Sequence, residues 1–117
     1  MKVENPAMLV HFPNTVVYNA IPHAAYTDLD LSPYVGVRKA LCIIRILNST
    51  GGGDTERVRT NGDASNVTSN SGVITCITNT TQIGYVVVIT DDAGIIEHFG
   101  TNVAGTVVYT LEAFIHG

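Results

Sequence analysis

Tryptophan is missing from this chain, and only five Tyr and three Phe stand among its 117 residues. Sugar-binding surfaces rely on exposed aromatic rings, and most of these eight lie inside strand-like runs, so the signal for glycan stacking is thin. Charge is scarce too: 14% of residues are charged, against roughly 25% in an average soluble domain. The six Lys and Arg are scattered, with no basic stripe of the kind a phosphate backbone requires, which excludes nucleic acid as a partner. No apolar run approaches the roughly 20 residues that span a bilayer; "ALCIIRIL" and "YVVVIT" have strand length, so no membrane partner is expected. The first twenty residues lack a basic start followed by an apolar core, and synthesis in a cytoplasm is expected. Cysteine occurs only at Cys42 and Cys76, each within a β-branched run. Buried free thiols suit a reducing compartment, while a bridge between paired strands is the alternative that the Cα separation decides.

What the chain does have is short β-branched runs punctuated by Gly, Asn, Asp and Ser, with almost no spacing of three and four. The pattern predicts strands over 15–19, 26–30, 39–48, 56–60, 72–78, 82–90, 95–99 and 106–115. Residues 1–14 form an N-terminal arm and 15–117 a single domain: an all-β, eight-stranded antiparallel β-sandwich of jelly-roll type. "SPYVG" (32–36) predicts one helical turn capped by Ser32. Strict alternation in the last strand puts Val107, Tyr109, Leu111, Ala113 and Ile115 on the core side and Val108, Thr110, Glu112 and Phe114 on the other. "LCIIRI" and "YVVVI" are apolar on both faces. Such strands are either central and covered twice, or have an outer face that a second subunit buries.

No catalytic, cofactor or metal site emerges. In "TDDAGII" the adjacent Asp91 and Asp92 diverge and lack the alternating oxygen ligands that calcium wants, so a hairpin turn through Gly94 is expected. Glu97 and His98 diverge likewise. Asp28 and Asp30 share a strand face, which reads as a solvated surface. His11, His23, His98 and His116 fall at no metal-ligand spacing. "GGG" at 51–53 precedes no helix-forming segment and reads as a hairpin tip, and the Asn48, Asn66 and Asn79 glycosylation patterns read as turns.

Together "TDLDLSPYVGVRKALCIIRILNSTGG", "RTNGD", "GYVVVITDDAGIIEHFG" and the closing "VVYTLEAFI" resemble a small β-sandwich domain of tailed-bacteriophage structural proteins. That domain carries W/Y-T-D-L-D-L-S, V-G-x-R-x-A-L, R-x-N-G-D and V-x-T-D-x-x-G-I-I-E in this order, and the resemblance covers roughly residues 15–117. It implies a non-enzymatic virion protein, a capsid decoration protein that binds the shell beside the major capsid protein; a tail-associated glycan- or receptor-binding module is the alternative. Homotrimeric assembly is expected, because closed symmetry buries one apolar patch on every copy. Val87, Val108 and Phe114 are the expected subunit contacts, and Tyr18, Tyr26 and Tyr34 the residues to inspect for sugar stacking.

Overall fold

A computed structural model describes residues 8–49, 54–63, 74–78, 83–101 and 105–117, with the backbone alone for 74–78. Its strands are β1 (Leu9–His11), β2 (Thr15–Ala20), β3 (Thr27–Asp30), β4 (Leu41–Asn48), β5 (Asp54–Thr60), β6 (Ile74–Thr78), β7 (Ile83–Ile89), β8 (Ile95–Gly100) and β9 (Val107–His116), with one helical turn, α1 (Ser32–Val35). All pairings are antiparallel. In the first sheet β9 pairs with β1, β2 and β4, and β4 with β7; in the second the order is β3-β8-β5-β6. The chain is an all-β sandwich of two antiparallel sheets. Every predicted strand is present with each end within two residues. β1 is an addition inside the segment read as an arm, because three residues of "LVH" are too few to show a period.

Two-residue periodicity sorts the side chains. On β4, Cys42, Ile44 and Ile46 point into the core, while Leu41, Ile43, Arg45 and Leu47 are half-buried on the outer side. On β7, Val86 and Val88 are buried, and Ile83, Tyr85, Val87 and Ile89 are exposed. The two runs that are apolar on both faces thus have one face covered within the single chain. Leu31, Val58, Ile96, Tyr109 and Leu111 complete the core; full burial of an aliphatic side chain of this size stabilises by about 1.5–3 kcal/mol.

The alternation of β9 breaks. Ile44 pairs with Leu111 and Ile43 with Ala113, so Glu112 is the extra residue of a β-bulge. Past it the phase inverts: Phe114 lies opposite Cys42, buried in the core, and Ile115 lies opposite Leu41 on the outer side. Strict alternation had reversed these two positions.

The connections are built by short polar side chains. Leu31, not Ser32, caps α1, and no side chain bonds at that cap; the Ser32 amide donates to Asp30 Oδ1 at 2.9 Å. In the turn after β7, Asp91 Oδ1 accepts from the amides of Ala93 and Ile95, both at 2.9 Å, and Asn61 Nδ2 donates to Oδ2 at 2.9 Å. Burial by itself would raise the Asp91 carboxyl, but these bonds outweigh it and hold it below its ordinary value. Gly94 closes the turn at φ +83°. Asp92 points into solvent towards Lys39 at 4.0 Å. The hairpin tip at 51–53, Asn66, Asn79 and the Cys76 side chain lie outside the described residues. Cys42 is a buried free thiol pushed up to about 12 by burial.

Candidate functional site

The two outer faces of the sandwich differ in chemistry. On the second sheet, Arg59 Nε donates to Glu97 Oε1 at 2.6 Å, and its guanidinium lies 3.7 Å from the centre of the Tyr26 ring. Arg57 sits 5.1 Å from the centre of the Phe99 ring. Both guanidinium groups there lie over aromatic rings, and Asp28 stands exposed opposite Glu97, as a solvent face allows.

The first sheet presents an apolar face instead. β7 contributes Ile83 at 53% exposure, Tyr85 at 59%, Val87 at 43% and Ile89 at 47%. Beside it β4 adds Leu41, Ile43 and Leu47, then β9 adds Val108 and Ile115, and Val16 and Val10 flank β9 on its far side. Among the described residues the charges on this face are Arg45 and Glu112, 3.9 Å apart. A monomer rarely shows a contiguous apolar patch of more than a few hundred Å² without a function for it. The origin of the face is local: β-branched residues fill both parities of "LCIIRIL" and "YVVVI", so whichever parity enters the core, the other is left apolar outside.

Val87 and Val108 both lie on this face, on opposite sides of β4, with Val87 paired to Ile43 and Val108 to Leu47. Phe114 does not. It is 5% exposed within the core and stacks on His11 at 4.6 Å between ring centres. The three tyrosines are dispersed. Tyr18 packs edge-on against His98 and Tyr109, and its hydroxyl donates to the Ile21 carbonyl. Tyr26 is under Arg59 on the second sheet, and Tyr34 is exposed on α1. Among the described residues no ring contact joins any two of them.

Sequence reasoning missed a polar group sealed between the sheets. The Tyr109 hydroxyl donates to Glu56 Oε1 at 2.5 Å, and His98 sits 5.3 Å from the Tyr109 ring, all three at 0% exposure. Burial, reinforced by hydrogen bonding with Asp54, raises Glu56 to about 9, so it is protonated at neutral pH. Burial, with His23 nearby, lowers His98 to about 4, so it is neutral, and among the described residues neither ring nitrogen has a hydrogen-bond partner. A Cβ at Gly100 would come within 2.0 Å of Glu56 Oε2, which shows how tightly the backbone closes over the carboxyl. An acid, a phenol and an imidazole are the components of proton transfer, but enclosure denies a substrate access. The signal was present in "DTERVRT": Val58 is its sole aliphatic residue and marks the inward parity, which carries Asp54 and Glu56 with it.

Two smaller features remain. At the tip, His11 Nε2 and His116 Nε2 are 3.1 Å apart and Arg38 Nη1 donates to His116 Nδ1 at 3.0 Å, which ties β1 to β9. Among the described residues no group of three or more His, Cys, Asp or Glu could hold a metal ion. A cleft of about 230 Å³ beside β7, lined by Leu41, Val58, Thr60, Val88 and Ile89 among others, falls below the roughly 300–1,000 Å³ of ligand sites. No family model matches the chain, and no curated protein or solved structure is significantly similar to it.

Proposed function

We propose that this protein is a non-enzymatic structural module that self-associates through the outer face of the first sheet. In the setting its motifs resemble, it decorates a phage shell by surface complementarity. One observation carries the proposal: the apolar face runs from β7 through β4 to β9 with one ion pair, Arg45 and Glu112, set into it, whereas the opposite face has its arginines matched. Hydrophobic burial contributes about 25 cal/mol per Å², and covering this face is the largest stabilisation still open to the folded chain. Closed symmetry, with three copies around one axis, covers every copy and leaves no end from which a fibre could grow. The enclosed Glu56–Tyr109–His98 group supports a structural reading, because a substrate cannot reach it without opening the sandwich.

The strand order supports the finer assignment of the fold. If β1 is set aside as an edge addition, the first sheet takes β2, β9, β4 and β7 and the second β3, β8, β5 and β6. Successive strands alternate between sheets except β5 and β6, which pair with each other as the fold of the long hairpin that is rolled into a jelly roll.

Sedimentation velocity across a concentration series tests the proposal. A concentration-independent homo-oligomer that Val87→Asp or Val108→Asp reduces to folded monomer is the expected outcome. A wild-type protein that stays monomeric at 100-fold above typical assay concentration overturns it. Stoichiometric presence in purified particles of the encoding phage tests the virion setting separately.

A further inference from the structure

We infer that the occupant of the apolar face is a second copy of this chain, and that Arg45 and Glu112 set the register of the contact by pairing between copies. The inference rests on the self-association just proposed and concerns its specificity.

Arg45 lies mid-strand on β4, flanked by Tyr85 on β7 and Thr110 on β9. Glu112, one residue past the inward Leu111, lies on the same face, and the β9 bulge leaves it out of the ladder. Their closest approach, 3.9 Å, is long for a direct hydrogen bond, and their side chains are 37% and 27% exposed. Each therefore retains bonding capacity: a guanidinium has five N–H donors and a carboxylate about four acceptor positions. Once the face is covered, any unmatched charge on it becomes a large penalty. A foreign partner would have to bring its own acid and base at matching positions. A second copy brings them already, because one cation and one anion side by side are self-complementary: Arg45 of each copy meets the carboxylate of its neighbour. The geometry serves a two-fold contact, in which both pairs form at once, and equally a ring, in which each copy gives one and receives one.

The face is open: Val16, Ile83, Tyr85, Val87 and Ile89 are 43–59% exposed. Apolar contact supplies affinity but little register, since β-branched rows can slide past one another. The single ion pair is the element on this face that distinguishes one alignment from the next.

Charge exchange tests this. Arg45→Glu and Glu112→Arg are prepared separately, with circular dichroism to verify that each folds. Alone, each should self-associate at least about tenfold more weakly than wild type, because two like charges then meet across the contact. Mixed in equal amounts, they should form particles containing both variants, detected by native mass spectrometry, since at every contact between unlike variants an acid again faces a base. Repulsion confined within one copy cannot be repaired by mixing, so a mixture that remains as weak as its components overturns the inference. Self-association of either single variant at wild-type strength also overturns it, while loss of assembly in Val87→Asp leaves the use of the face itself intact. A wild-type monomer sinks the proposed function and this inference together.

Discussion

Tyr109 on β9 and Glu56 on β5 join the two sheets through one hydrogen bond, the phenol donating to a carboxyl group that is protonated when folded. Both side chains are fully buried. The contact therefore couples sheet packing to proton uptake, and the stability of the fold depends on pH.

For Glu56 the unfolded group titrates near 4.5 and the folded one at about 9. The folded state holds an extra proton across that window, so this contribution is fully present below 4.5 and is lost as pH rises towards 9. Each unit in the window removes about 1.4 kcal/mol. Glu56→Gln keeps an acceptor for Tyr109 and removes the titration. Urea unfolding from pH 6.5 to pH 9 should show a falling wild-type midpoint and a flatter variant; parallel curves would refute the assignment.

His98 acts in the opposite direction. Its unfolded value is 6.5 and its folded value about 4, so its contribution is complete above 6.5 and is lost as pH falls through 4. Between 4.5 and 6.5 the two dependences offset each other, and maximal stability is expected there. His98→Phe, which preserves an aromatic ring between Tyr18 and Tyr109, should move that maximum below pH 4.5, because nothing then offsets the Glu56 dependence above it. Acid denaturation followed by near-ultraviolet dichroism gives the comparison.

Two substitutions to aspartate separate the core from the face. Phe114→Asp places a charge among Cys42, His11 and the rest of the core and should cost at least about 3–5 kcal/mol, enough to unfold a marginal domain. Val87→Asp puts its charge on an exposed position and should leave the melting temperature of the isolated chain within a few degrees of wild type. Equal loss of stability in both would contradict the phase inversion in β9.

Gly94→Ala should destabilise by about 1–3 kcal/mol. The position is at φ +83°, and an added Cβ would lie 2.5 Å from the Gly36 carbonyl oxygen, a backbone atom that cannot swing away. Gly62, at φ +84° with nothing near its Cβ, carries the dihedral strain alone. The difference between Gly94→Ala and Gly62→Ala in thermal unfolding isolates the close approach.

Most of the sandwich was legible because period two is a local property: "LCIIRIL" and "YVVVI" announce strands whatever surrounds them. What the pattern left out is non-local. The partner across the ladder, Ile43 and Ile44 on β4, decides that Glu112 bulges and that Phe114 turns inward. Val58 marks the parity of "DTERVRT" that goes inside and carries Glu56 with it, but that His98 and Tyr109 meet Glu56 there depends on the neighbouring strand and the sheet opposite. The apolar face was legible as composition, since both parities of two strands are β-branched, but its continuity across β7, β4 and β9 follows from topology.

The bulge at Glu112 lets β9 carry one residue more than the strand it faces. Leu111 and Ala113 already pair with the neighbours Ile44 and Ile43, so deleting Glu112 would close the ladder and leave Phe114 and His116 inward and Ile115 outward. Insertions and deletions usually settle in loops, yet here a single-residue deletion inside a strand would keep the core and the Nε2 contact between His116 and His11, and would take from the outer face only the carboxylate beside Arg45.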